Sequence, residues 1–228
     1  MTGRFPPERL AEYLEITHQQ LLELMRPTPR NPETGTVSWL TPASSGYGSI
    51  WYMQNARTDW DGTAALALRD GTCVPVREIR ASDAPALRRL VRRSSPLSVE
   101  LRFFGPMKQL SEAQARRFAE VDGRERFALV GLDPEDPEEV VAVVRYEREA
   151  DTDGAEYAAL VEDRFQGKGL GIGLTRRLIE SARERGIERL HALVMNENSG
   201  MLRLLRDLGL PERERWRDGA RLIEIDLN

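Results

Sequence analysis

Cysteine, histidine and lysine are all scarce in this chain. One cysteine, Cys73, in 228 residues excludes a disulfide framework and a cysteine-built zinc site. The two histidines, His18 and His191, stand far apart in sequence and fit no metal or triad spacing, so no metal is expected. Of the 33 basic residues, all but Lys108 and Lys168 are arginines, which reads as the base composition of the coding sequence. No apolar run approaches the roughly 18 residues of a membrane helix. The start, MTGRFPPERLAEYLE, has no apolar leader core. A cytoplasmic location without membrane contact is the expectation. A net charge of -4 argues against non-specific binding of nucleic acid.

What is present is a globular mix, 40% hydrophobic and 31% charged, and not a disordered one. A chain of this length buries about seven-tenths of its surface on folding, enough for a real core. Residues 1–62 read as an N-terminal extension. In it, Pro7 to Met25 carries apolar residues at helical spacing, Pro27, Pro29 and Pro32 end that run, and Val37–Leu40 and Ser49–Met53 read as short strands around SSGYGS. No chemical motif falls there.

Residues 63–228 read as the main domain. AALALRDGTCVPVREI forms two strand-like runs around Asp70-Gly71, a dipeptide suited to a tight hairpin turn. Ser82 or Asp83 caps a helix through Leu87, Leu90 and Val91, a second short helix covers Val99 to Phe104, and Ser111 with Gln114 forms a capping box for a third. Strands follow at Phe127–Leu132, Val140–Tyr146 and Ala155–Val161. After a glycine-rich bend comes a helix from Gly169 to Arg185, with Leu170, Leu174, Leu178 and Ala182 as its buried stripe. A strand at Leu190–Met195, a helix at Ser199–Leu208 and a last strand pair complete the chain. This order predicts a mixed α/β fold, one central β-sheet flanked by helices.

The chemistry lies in EYAALVEDRFQGKGLGIGL. A strand runs into Gln166, Gly167, Lys168, Gly169, Leu170 and Gly171, and a helix begins at once. Glycines let backbone amides approach an anion, and a helix start offers unpaired N–H groups with a partial positive charge. Together they make a phosphate cradle. The Walker pattern fails, because no Lys-Ser or Lys-Thr follows a glycine here. The dinucleotide pattern fails because Ile172 stands where its third glycine belongs.

The pattern that fits is Q-x-x-G-x-G, and with it the chain resembles the GNAT-type N-acetyltransferases. A second stretch agrees: Asn198, then Met201, Leu204, Leu205 and Leu-Gly-Leu at 208–210, is similar to the family's Asn-led helix. The resemblance spans about Val74 to Asn228. Within the family, Asp70, Gly71, Asp83, Ser95, Ser98, Arg102, Phe103 and Phe104 look like the bacterial Pat-type protein-lysine acetyltransferases. This implies a GNAT-like mixed sheet and acetyl-CoA as acyl donor. It also implies transfer of acetyl to a primary amine, first of all a protein lysine. A small-molecule amine is the rival acceptor, and an acyl-CoA-binding sensor with little turnover is a further alternative.

The resemblance implies that residues 166–171 and Asn198 hold the cofactor, and that the amides of Leu160 and Val161 polarise the thioester carbonyl. It places the general base at Glu156, ten residues before Gln166. The small and aromatic neighbours of Glu156 predict partial desolvation, which raises a carboxyl pKa. Many relatives carry a tyrosine seven residues after the Asn as acid, and this chain has Leu205 there. Tyr146 and Tyr157 are the remaining candidate donors. Ten acidic residues between Asp133 and Glu156 predict a negative rim that attracts a cationic amine. Arg88, Arg89, Arg92 and Arg93 read as a solvated helix face, Cys73 as a small apolar packing residue and His191 as structural.

Overall fold

In the computed structural model the described residues are 64–149, 152–217 and 219–228. The extension expected over residues 1–62, with its helix and short strands, lies outside them. Eight strands form one sheet in the order β1-β2-β3-β4-β5-β6-β8-β7. They are β1 (Ala64–Ala67), β2 (Cys73–Glu78), β3 (Arg126–Leu132), β4 (Val140–Arg148), β5 (Gly154–Val161), β6 (Arg189–Val194), β7 (Glu212–Arg217) and β8 (Ala220–Asp226). The helices are α1 (Ala84–Arg93), α2 (Pro96–Phe103), α3 (Glu112–Ala119), α4 (Leu170–Glu184) and α5 (Ser199–Asp207). The expected mixed α/β order is therefore observed, with most ends moved by one to three residues.

Local chemistry accounts for the elements. Gly71 turns the first hairpin at φ +86°, where a side chain is strained. Ser111 accepts from the Gln114 amide while Gln114 reaches back to the Ser111 N–H, the reciprocal cap expected from S-x-x-Q. Asp83 does start α1 but uses its carboxylate elsewhere. It takes the Arg80 N–H at 2.8 Å and both guanidinium arms of Arg77 at 2.7 and 2.8 Å. Burial pushes its pKa up, yet these donors outweigh burial and leave it below the ordinary value.

The sheet is covered on both faces. One core packs α4 and α5 against the strands through Leu170, Leu174, Leu178, Tyr157, Leu190 and Ile223, among others. The expected stripe Leu170, Leu174, Leu178 and Ala182 is fully buried. A second core, including Leu87, Leu90, Leu110, Val130 and Leu160, packs α1 and α3 on the opposite face. Strand alternation sorts β5 between them: Ala155, Tyr157 and Ala159 face the α4 side, and Leu160 faces the α1 side.

Arg93 is exposed as expected of that helix face, yet it and Arg89 are engaged in ion pairs. Both pair with Glu139, and Arg93 also bonds Glu162 at 3.0 Å and the Val140 carbonyl at 2.8 Å. They fasten α1 to the β3–β4 turn and to the end of β5. Cys73 is exposed, so it does not serve as the packing residue expected. Among the described residues no helix is long and apolar enough to cross a membrane.

Candidate active site

The site begins where two strands part. β4 and β5 stay paired along seven positions, from Arg148↔Ala155 to Ala142↔Val161. On its other side β5 runs parallel to β6 for three positions, ending at Glu156↔His191. The Asp153 carbonyl accepts from the Glu188 and Arg189 amides near β6, and the Glu162 N–H donates to Val141 near β4. These three bonds fix the alternation: odd residues of β5 turn their peptide groups toward β6, even ones toward β4. Past Glu156, the N–H groups of Ala159 and Val161 therefore face an unpaired gap. Leu160 turns its own N–H to Val143, so of the two amides expected at the thioester only that of Val161 faces this gap.

Because β5 and β6 are parallel, the helices that follow them start at the same edge. α4 begins at Gly169 and α5 at Asn198. Gly167 and Gly169 hold φ +71° and +99°, which only glycine adopts without strain. The α4 N-cap has no side-chain cap bond and no acidic residue in its first turn. Its first N–H groups thus remain available to an anion. A Cβ on Gly171 would lie 3.0 Å from Leu204 Cδ1 and 3.5 Å from Val161 Cγ2. The helix start is therefore held close against α5 and β5, so that a side chain there makes Leu204 give way.

Gln166 is exposed but folds back onto the site. Its Nε2 donates to the Val161 carbonyl at 2.9 Å and to Ser98 Oγ at 3.0 Å, and its backbone N–H goes to Asp163. Asp163 in turn accepts from Ser95 N–H, Ser95 Oγ and Ser98 Oγ at 2.7, 2.6 and 2.8 Å. Burial raises the Asp163 pKa, but these donors bring it below the usual value. This network ties α2 to the glycine turn, and no spacing in the sequence announced it. Lys168 Nζ pairs with Asp70 at 3.0 Å. Hydrogen bonds from Lys168 and Thr72 lower the Asp70 pKa to about 2. Asn198 caps α5, its Oδ1 accepting from the Met201 amide at 3.0 Å.

Glu156 stands at the last β5–β6 pair, beside Glu147 in register, with an exposed side chain. The expected desolvation is absent. By alternation it shares the α1-side face with Leu160, whereas α4 packs on the other. The cradle and the carboxylate thus lie on opposite faces of the sheet, at the parting of the strands.

The remaining candidates fall away on geometry. Tyr157 Oη bonds Thr175 Oγ1 at 2.7 Å in the core, and burial pushes its pKa up. Tyr146 Oη donates to the Arg124 carbonyl, and burial raises its pKa to about 12. Neither offers a free acid. Leu205 is 2% exposed and packs in the core. Leu205→Tyr is therefore expected to overpack, costing about 1–3 kcal/mol and lowering Tm in thermal unfolding, without adding a donor to the gap. Four carboxylates of the expected acidic rim are paired internally: Asp133 with Arg164, Glu139 with Arg89 and Arg93, Glu147 with Arg117, Asp153 with Arg189. His191 Nε2 lies 3.3 Å from Glu149, the structural part expected of it. Among the described residues no cluster of His, Cys, Asp and Glu suits a metal ion.

Comparison with known proteins agrees with this layout. The acetyltransferase (GNAT) family pattern matches residues 87–210. A Pseudomonas aeruginosa acetyltransferase is 30% identical over 158 residues, which is 69% of this chain and 85% of that protein. The Mycolicibacterium smegmatis acetyltransferase Pat is 33% identical over 133 residues, 50% of this chain but 38% of that longer protein. Among solved structures, the GNAT domain of the S. lividans PAT superposes with a TM-score of 0.67 at 33% identity, covering 75% of this chain and 99% of that domain. The chain belongs to the GNAT family of acetyltransferases, enzymes that use acetyl-CoA as acyl donor.

Proposed function

We propose that this protein moves the acetyl group of acetyl-CoA to the side-chain amine of a lysine in another protein. The observation that carries the reading is the exposed Glu156 at the point where β5 and β6 part, on the sheet face opposite α4. An open approach to the base suits an acceptor presented on a protein surface. The likeness to Pat acetyltransferases supports the same acceptor class.

Each residue has a stated task. The cradle of Gly167, Lys168, Gly169, Leu170 and Gly171 binds the pyrophosphate through backbone N–H groups and the α4 dipole. Gln166 holds the turn in place through Val161 and Ser98. Asn198 keeps α5 beside the gap, and its Nδ2 is left to bond the pantetheine arm. The N–H of Val161, with Ala159 as its neighbour, polarises the thioester carbonyl, where negative charge develops during attack. Leu160 contributes packing behind that amide. Acetyl-CoA supplies the activated acetyl group. Glu156 takes the proton of the incoming ammonium, directly or through one water. No side chain among the described residues is placed as a free acid, and a CoA thiolate is a good enough leaving group to depart through water.

Turnover of acetyl-CoA by the full chain, against lysine-bearing proteins and peptides on one side and polyamines, amino acids and antibiotic amines on the other, tests the acceptor. The expected result is faster transfer to protein lysines, read by mass shift. A higher kcat/KM for any small amine overturns the protein acceptor. Tight acetyl-CoA binding with no turnover on any acceptor identifies a sensor instead.

A further inference from the structure

The β1–β2 hairpin lies outside residues 87–210, which match the family pattern, yet it is fastened to the glycine turn and to α4. The Arg69 N–H donates to the Lys168 carbonyl at 2.9 Å. Asp70 pairs with Lys168 at 3.0 Å and takes the Thr72 N–H at 3.1 Å. Arg177, on α4, donates to the Ala65 carbonyl at 3.1 Å. A Cβ on Gly173 would lie 3.0 Å from Leu66 Cδ1, so the hairpin and α4 are in close contact.

These tethers carry the Arg69 side chain over the helix start. A Cβ on Gly169 would sit 3.7 Å from Arg69 Cγ and 3.9 Å from its Nε. Two cations thus flank the uncapped α4 terminus, and they differ. Lys168 is neutralised by Asp70. The Arg69 guanidinium has no carboxylate or carbonyl within bonding distance among the described residues. A cation held against the positive end of a 15-residue helix is unfavourable unless an anion lies between them. A guanidinium also presents the planar fork of donors that suits phosphate oxygens.

We propose that Arg69 is a binding residue for the pyrophosphate of acetyl-CoA, a side-chain clamp that the hairpin adds to the backbone cradle. The proposal rests on the cradle reading above. Asp70 is its positioning residue, because it ties the hairpin tip to the turn and removes Lys168 as the competing free cation.

Calorimetric titration of the full-length protein with CoA and with 3′-dephospho-CoA, at low and high salt, is the test. Arg69→Gln is expected to weaken both ligands by about tenfold or more, the usual worth of one charge-assisted bond. It is also expected to reduce the salt dependence of binding and not to lower the Tm of the ligand-free protein, since the side chain is exposed and its charge opposes the helix dipole. A loss seen with CoA and not with 3′-dephospho-CoA places Arg69 on the 3′-phosphate and overturns the assignment. Equal affinities for Arg69→Gln and wild type overturn it as well. Gly171→Glu run alongside separates the two readings: if that variant binds CoA normally, the cradle itself is wrong, whereas loss there with normal binding by Arg69→Gln sinks only the clamp.

Discussion

Gly171→Glu abolishes the thermal stabilisation that acetyl-CoA gives the wild-type protein. That stabilisation is expected to be about 2.7 kcal/mol at a hundredfold excess over Kd, by linkage. Two effects act together. The new Cβ meets Leu204 Cδ1 at 3.0 Å, which pushes the starts of α4 and α5 apart. The new carboxylate sits in the first turn of α4, where it competes with a phosphate for the same N–H groups and repels its charge. The ligand-free variant still folds, because an acidic residue in a first turn is favourable to the helix and Leu204 is partly exposed. Gly171→Ala separates the steric part: the nearest atom is the end of a flexible side chain, so part of the ligand shift survives. Tm with and without acetyl-CoA reads both variants. An undiminished shift in Gly171→Glu overturns the pyrophosphate assignment.

The parts of this site that are local in sequence were legible in it. The glycines of the α4 turn declare themselves because Gly167 and Gly169 hold positive φ and Gly171 packs closely on Leu204, conditions that favour glycine. The Ser111–Gln114 cap and the stripe from Leu170 to Ala182 depend on spacings of three and four, which a linear reading detects. Glu156 was singled out by the family resemblance, and the structure puts it where the β5–β6 pairing ends.

What stayed hidden depends on partners far apart along the chain. Arg93 meets Glu162 across 69 positions, and Ser98 meets Gln166 across 68. Nothing in either neighbourhood marks these pairs, so the arginines of α1 read as solvated and the tie between Gln166 and α2 went unseen. Charge counts mislead for the same reason. The run from Asp133 to Glu156 is acidic in sequence, but Arg164, Arg89, Arg93, Arg117 and Arg189 arrive from four other elements and pair with four of its ten carboxylates. Side-chain direction is the third hidden quantity. Leu205 occupies the position where relatives place an acid, but its side of α5 faces the core.

Glu156→Gln lowers the chemical step by about 10²–10⁴-fold, the usual worth of a positioned general base. The substitution keeps the shape and removes the proton acceptor. Acetyl-CoA affinity stays near wild type, because the cradle lies on the opposite face of the sheet and Glu156 makes no bond to it. The fold is also unaffected, since the side chain is exposed and registers beside Glu147, a like charge whose repulsion is relieved. The pH dependence then identifies the role. A lysine amine with pKa about 10.4 is almost wholly protonated at neutral pH, at a cost of roughly 4.6 kcal/mol to reach the reactive form at pH 7. In the variant this cost is met from solution, so log kcat/KM rises with slope near one between about pH 7 and pH 10. The wild type starts far above it and the two profiles converge as the amine titrates. A carboxylate that only shaped the acceptor site would give a parallel offset at every pH. Full activity of Glu156→Gln at neutral pH places the base elsewhere or requires an amine that arrives already neutral, and the proton-transfer role of Glu156 is then lost while the cradle stands.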